Sequence, residues 1–586
     1  MIDEGRNSAG RGVPSAEDSE VRGCREADAD WVRLDRFLTL GAESGPFVAG
    51  GGGSAGDDDA ERGDTDNAGT TEPPAVVRCI RSDAQRVVAR VLETFEAGRA
   101  APNGAGIRVL ALVTALGDDA GRSAACAGVP KVCGTAGELF LFARWVTGLR
   151  GWGRGLRRAV GNWYRGRFAD DLAYQVVKCP RRAGWSHRDL LRLSHPTPAT
   201  REQAAVFRWI LGGAGSLGRR TVLRRVPPSE CGEESAGGGE DPGVAPRNVR
   251  AVTYPGVGEL PRLLRGLEEA KRASTVGEVV RLIAERDLPR EAVPAAWLGE
   301  VSVWDALLHR MPLASLLGDL GRFAAVGLLA AGSEAAWWIE TRLRNPEVLR
   351  ASRLHPMAFF LARRAYEEGS APGEAASWNP VPSVVRALED AFYAAFANVR
   401  PVRRSLWVTL DLSASTRRAC LPGTRVPVLD AAAAMALVAV STEPSCVVAG
   451  FSSGVACRIA GSPPVLPGLT LLELLPGMRL EEVMDQLATV VPGPPEPALP
   501  MEWALRHRIP VEGFITYTDG EMWMGEVVPS AALDRYREHV GIPAKSVVIR
   551  MAGVGMGLVD AADPGTLEIV GFDGATPGVV NGFLQA

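Results

Sequence analysis

The sequence contains no apolar run approaching the roughly 18–20 residues that a bilayer-spanning helix needs. Its opening, MIDEGRNSAGRGVPSAEDSE, lacks the apolar core of a secretory signal. A cytoplasmic protein without membrane contact is expected. The nine cysteines are an odd number and scattered, with no C-x-x-C and no Cys/His cluster at zinc spacing. That argues against a disulfide framework or structural zinc and for reduced, mostly buried thiols. Also missing are G-x-S-x-G, a P-loop and any nucleophile with an evident base, so catalysis is not expected.

What is present is an uneven charge. The 586 residues carry a net charge of only −4, which by itself argues against a nucleic-acid partner. Between Arg144 and Arg225, however, 18 Lys and Arg stand against four acids, Asp170, Asp171, Asp189 and Glu202. This stretch is +14 and the remainder of the chain −18. Such asymmetry is the electrostatic footprint of a polyanion partner.

Residues 1–30 are polar and Gly-rich, the composition of a disordered tail. Two acidic, Gly-rich insertions follow, near 49–75 and 228–247, both read as surface loops. Between about 76 and 398 apolar residues recur at helical spacing, as in SDAQRVVARVLETFEAG, which stops at Gly98. Serial amphipathic helices with short Gly- or Pro-bearing connections predict an α-solenoid of HEAT-like helix pairs over 31–400, although no strict period is visible. After Pro401 the pattern changes. SLWVTLDLS, SCVVAGFSS, GFITYTD and KSVVIRM are short β-branched runs separated by helical stretches. They predict a doubly wound α/β domain over 401–586 with a parallel sheet.

The densest segment is VVKCPRRAGWSHRDLLRLSHP, 176–196. Ser186 with Asp189 three residues on predicts a capping box, and His195-Pro196 the end of the helix. Arg188 and Arg192, at i and i+4, share a face. Lys178, Arg181 and Arg182 precede the cap, and His187 and His195 add two imidazoles. Upstream, Arg154, Arg157 and Arg158 lie in GLRGWGRGLRRAVGNWYRGRF among Trp152, Trp163 and Tyr164. Guanidinium groups pair with phosphates, and aromatics stack on bases. The competing reading puts Trp and Tyr at helical spacing in the core and leaves single arginines as solvated surface.

GWGRGLRRAV…WY followed by VVKCPRRAGWSHRDLLRLSHP resembles the TROVE module of the Ro ribonucleoprotein family, bacterial relatives included. RFLTLGAESG, RLHPMAFFLA, ALEDAFYAAF, FITYTDGEMW, YREHVGIPAKSVVIRMAG and GFDG extend the resemblance over most of the chain from about 31 onward. The resemblance implies a monomeric ring of helical repeats closed by a von Willebrand factor A domain. It implies binding of Y-type small RNA on the outer surface and of misfolded RNA through single-stranded 3′ ends. It also implies work alongside a 3′ exoribonuclease, polynucleotide phosphorylase. The family's Y-RNA contacts fall on Lys178, Arg182 and His195; Pro180 would break any helix spanning the first two.

In the C-terminal part, Asp411, Ser413 and Ser415 form D-x-S-x-S after the strand SLWVTL, the first loop of a metal-ion-dependent adhesion site. A carboxylate and two hydroxyls at the carboxyl edge of a parallel sheet suit Mg²⁺. Asp519, after GFITYT, matches that pattern's second carboxylate. The family's third loop carries a Thr where this chain has Pro495, followed by Glu496 in place of Asp. Either Mg²⁺ binds with Glu496 or water as substitute, or the domain serves only to clasp the ring. The alternative to an RNA-binding protein is an α-solenoid interaction scaffold whose A domain takes a partner through a metal.

Overall fold

The computed structural model describes residues 29–43, 47–49, 72–101, 104–213, 222–225, 249–252, 259–370, 377–453, 468–521, 527–553, 559–560 and 563–585. Nearly all of the polar N-terminus and most of both insertions lie outside the described residues.

Up to Asn398 the described chain is a succession of helices. Local sequence sets many of their starts. Thr135 with Glu138, Ser186 with Asp189 and Thr275 with Glu278 form capping boxes, each satisfying orphan amides on both sides of the cap. The helix read from 82 onward starts earlier, at Pro74, and is interrupted at Asp83 (φ −155°, ψ 89°). The Asp83 carboxylate accepts from Arg86 N at 2.9 Å and so caps the second half. Glu43 accepts from Val76 N at 2.6 Å and serves the first half from a distant position. One departure from an all-helical region is an antiparallel pair, Val222–Arg225 with Val249–Val252, at the root of the second insertion.

The C-terminal domain is a seven-stranded sheet. Its order is Phe47–Val48, Thr566–Val570, Lys545–Arg550, Gly513–Thr518, Ser405–Leu410, Ser445–Phe451, Leu469–Leu472. Every neighbouring pair is parallel except the last, Ser445–Phe451 with Leu469–Leu472, so the expected parallel sheet gains one antiparallel edge. Side-chain alternation buries both faces. Val408, Leu410, Ile515 and Tyr517 face helix Val428–Thr442, while Trp407 and Phe514 join Met501, Trp503, Leu533 and Tyr536 on the other side. Strand order reverses between Ser405–Leu410 and Gly513–Thr518, which opens a crevice at their carboxyl ends.

The first strand of this sheet comes from the other end of the chain. Phe47–Val48 pairs with Ile569–Val570, and Arg36 of helix 29–40 donates to the Thr566 carbonyl at 2.5 Å. At the other end of the helical array, Arg364 pairs with Asp430, Arg479 with Glu389, and Leu480 N donates to Tyr393 Oη at 2.8 Å. Both ends of the array are therefore held by one domain, and the helices form a closed circuit. The N-terminal seam is loosely filled: a cavity of about 830 Å³ lies between helix 29–40, helix Pro74–Glu96 and the A-type domain.

Candidate functional site

The basic segment folds into helix Arg154–Arg165, helix Ala169–Lys178, a two-residue-strand hairpin and helix His187–Ser194. Helices Arg154–Arg165 and His187–Ser194 pack together. Arg157 Nε donates to the Ser194 carbonyl at 3.2 Å, a cation at a helix C-terminus. Pro196 lies against Gly161, where a Cβ would stand 3.7 Å away. This contact brings Arg154, Arg157 and Arg158 beside the helix that carries Arg188, Arg192 and, at its left-handed C-cap, His195 (φ 45°). All six are exposed. Arg154, Arg158, Arg188 and Arg192 make no ion pair among the described residues, whereas arginines elsewhere on the molecule commonly do. Cations left unpaired on one face are poised for an external anion, because no internal carboxylate has to be displaced first.

Lys178, Arg181 and Arg182 do not share a helix face. The helix ends at Lys178, Pro180 follows, and Arg181–Arg182 pair with Trp185–Ser186 in a tight hairpin turning at Ala183 and Gly184, both at positive φ. Arg182 is exposed but lies across Gly137, where a Cβ would come within 3.1 Å of Nη1. Lys178 is already engaged, its Nζ 2.6 Å from Glu291 Oε1, a residue 113 positions later. Glu291→Gln should free Lys178 and tighten binding of a polyanion by up to about sixfold at 0.1 M salt, the worth of one phosphate contact. A titration showing no gain would remove Lys178 from the contact set.

His187 is not a surface group. Only 2% exposed, it meets Tyr164 Oη through Nδ1 at 2.9 Å and lies edge-on to Phe140. Burial holds its imidazole down at about 4, so it is neutral near pH 7. It belongs to the core beneath the arginines, and the reading of it as an RNA contact is corrected. The aromatic residues divide similarly. Trp163 and Tyr164 are buried, with Trp163 Nε1 donating to the Cys133 carbonyl, and Trp152 stacks on Trp185 with centroids 5.8 Å apart. Two aromatics of the segment are exposed, Tyr174 at 44% and, far more so, Phe168, which the sequence pattern did not single out. The only signal of Phe168 there was a Phe in a cap position where Ser, Thr, Asp or Asn would be usual.

At the crevice of the sheet, Asp411 and Asp519 follow adjacent strands, and both are buried. Asp411 Oδ1 accepts from Ser413 N at 2.9 Å, and Oδ2 accepts from the Thr518 hydroxyl at 2.8 Å. The Ser413 and Ser415 hydroxyls are 2.8 Å apart. Burial, with the Asp519 charge adding to it, raises Asp411 to about 6 against the pull of its hydrogen-bond donors. One carboxylate and two hydroxyls thus converge, a donor set that a hard cation would use. The third loop gives no hydroxyl. Pro495 is buried, and Gly493 passes so close to Ser452 that a Cβ would overlap the Ser452 carbonyl. Glu496 is half-buried at the entry to helix Leu499–His507, where its backbone carbonyl accepts from Leu499 N at 3.2 Å.

Comparison with known proteins gives concordant matches. The model of the TROVE domain matches residues 19–217 and 269–374, and that of the Ro60 vWA domain matches 405–584. The gap between the TROVE matches contains the second insertion. RNA-binding protein RO60 of Deinococcus radiodurans is 31% identical over 563 residues, covering 95% of this chain and 93% of its own. RNA-binding protein RO60 of Caenorhabditis elegans is 29% identical over 481 residues, covering 78% and 71% respectively. The crystal structure of the D. radiodurans RO (RSR) protein superposes with a TM-score of 0.77 at 30% identity, covering 95% of this chain and 99% of that one.

Proposed function

Since the chain belongs to the Ro60 family, a TROVE domain followed by a Ro-type von Willebrand factor A domain, we propose that it is a cytoplasmic RNA-binding protein, not an enzyme. Its ligands are Y-type small RNA and the single-stranded ends of misfolded or structured RNA, and its work is RNA quality control. A 3′ exoribonuclease such as polynucleotide phosphorylase would act on the RNA it presents. The observation carrying the proposal is the exposed set Arg154, Arg158, Arg188 and Arg192 on two packed helices, without ion pairs among the described residues, with His195 at the C-cap of the second helix and Arg182 in the hairpin that precedes it. Phosphates bind such a face with steep salt dependence, and neighbouring hydrogen-bond donors read RNA shape. Sequencing the RNA that co-purifies with the protein tests the reading directly. Recovery of only bulk ribosomal fragments, together with salt-insensitive binding, would sink it.

The convergence of Asp411, Ser413 and Ser415 supports a second reading, of a weak divalent-cation site in the A-type domain. Asp411, Ser413 and Ser415 would hold Mg²⁺ with Asp519 behind them, water completing the set that Pro495 leaves short. Bound there, the ion would supply an open coordination position for a partner's carboxylate. Calorimetric titration with Mg²⁺ or Mn²⁺ should give weak binding in the parent protein and none in Asp411→Ala. Pro495→Thr, restoring a hydroxyl, should tighten it. A parent protein that releases no heat at millimolar ion is a clasp without a metal.

A further inference from the structure

Phe168 is the most solvent-exposed large apolar side chain among the described residues, at 87%. Neither packing nor local structure accounts for it. It is the N-cap of helix Ala169–Lys178 and makes no side-chain cap bond, so the position forgoes both a cap and the burial of a phenyl ring. Its backbone is nevertheless held firmly. Gln203, buried, donates from Nε2 to the carbonyls of both Arg165 and Arg167. The Arg167 guanidinium lies over the Trp163 ring at 4.0 Å and donates to Asp171 and to the carbonyls of Cys133 and Gly134. The Phe168 carbonyl accepts from Leu172 N at 3.0 Å. The ring therefore stands in water on a braced turn.

What leads up to that turn is cationic. Arg154, Arg158 and Arg165 fall within about 40° of one another around helix Arg154–Arg165 at 3.6 residues per turn. All three are exposed and make no ion pair among the described residues. The stripe ends three residues before Phe168. Of the two acids that follow, Asp171 is neutralised by Arg167, while Asp170 lies in the first turn of the next helix, where a negative charge favours the helix end. A row of free guanidinium groups ending at an upright aromatic ring has the chemistry of a single-stranded nucleic-acid track, phosphates along the row and a base on the ring.

We propose that Phe168 is a stacking platform for an unpaired RNA base whose neighbouring phosphates lie along Arg154, Arg158 and Arg165. The proposal deepens the RNA-binding reading above and rests on it. The experiment is fluorescence anisotropy of the full chain with an unstructured, purine-rich RNA oligonucleotide across a salt series. Phe168→Ala should weaken binding about 5- to 100-fold, the worth of one stacked base, and leave the salt slope unchanged because no charge is removed. Phe168→Trp should bind as tightly as the parent or tighter. Arg158→Ala should also weaken binding but, unlike Phe168→Ala, flatten the slope. If the parent binds RNA steeply with salt and Phe168→Ala binds equally well, the stacking role is wrong while the RNA reading stands, and the ring serves another partner. If the parent binds no RNA, both fail together.

Discussion

Removing Arg154, Arg158, Arg188 and Arg192 together, each to Ala, is expected to lower RNA affinity about 10³-fold at 0.1 M salt. Each phosphate neutralised contributes roughly 0.7–0.9 to the slope of log affinity against log salt, so four contacts flatten that slope by about 3. Thermal stability should hardly move, because all four side chains are exposed and none carries an ion pair among the described residues. Alanine at two exposed arginines on other helices, Arg281 and Arg350, is the control and should keep the parent slope within about one unit. A quadruple variant with the parent's slope would mean that the RNA contacts another face.

Acid is expected to destabilise the helical domain by several kcal/mol between pH 6.5 and pH 4. Two imidazoles, His187 and His355, are held by burial at about 4, against 6.5 for the free group. His355 also accepts from Met357 N through Nδ1, a bond only the neutral ring can make. The folded pKa is depressed in both, so within this window the unfolded chain binds the extra protons. Stability is present in full above pH 6.5 and is lost as pH falls towards 4. A shift of that size corresponds to about 3 kcal/mol for each group. Asp411 works the other way. Raised to about 6, it favours the folded state as pH falls, and it offsets part of the loss. Urea midpoints measured from pH 7.5 to 4.5 test this. His187→Gln should remove roughly half of the acid loss, and midpoints that stay level across the range would rule the mechanism out.

The A-type domain was legible because its four central strands are short β-branched runs buried on both faces, a pattern that needs no knowledge of distant partners. Phe47–Val48 was not legible. Two residues bordering a glycine-rich insertion have no periodicity, and their strand character comes entirely from the edge offered by Thr566–Val570. The capping box of Ser186 and Asp189 and the stop at His195 were readable because both are local. The fates of His187 and Lys178 were not. One is decided by Phe140 and Tyr164 on other helices, the other by Glu291 far along the chain. Similarly, charge count located the basic face, but only packing distinguished Phe168, left in water, from Trp152, Trp163 and Tyr164.

The two joints that close the helical circuit are built differently. At one, the peptide chain itself runs from Asn398 into the strand at Ser405, reinforced by Arg364 with Asp430 and Arg479 with Glu389. At the other, the described contacts include a two-residue strand, the Ala49 N bond to the Val570 carbonyl and the Arg36 bond to the Thr566 carbonyl, beside an open cavity of about 830 Å³. A bracelet made this way has a hinge and a latch. With fewer bonds across it, the N-terminal latch is the joint expected to open first under load.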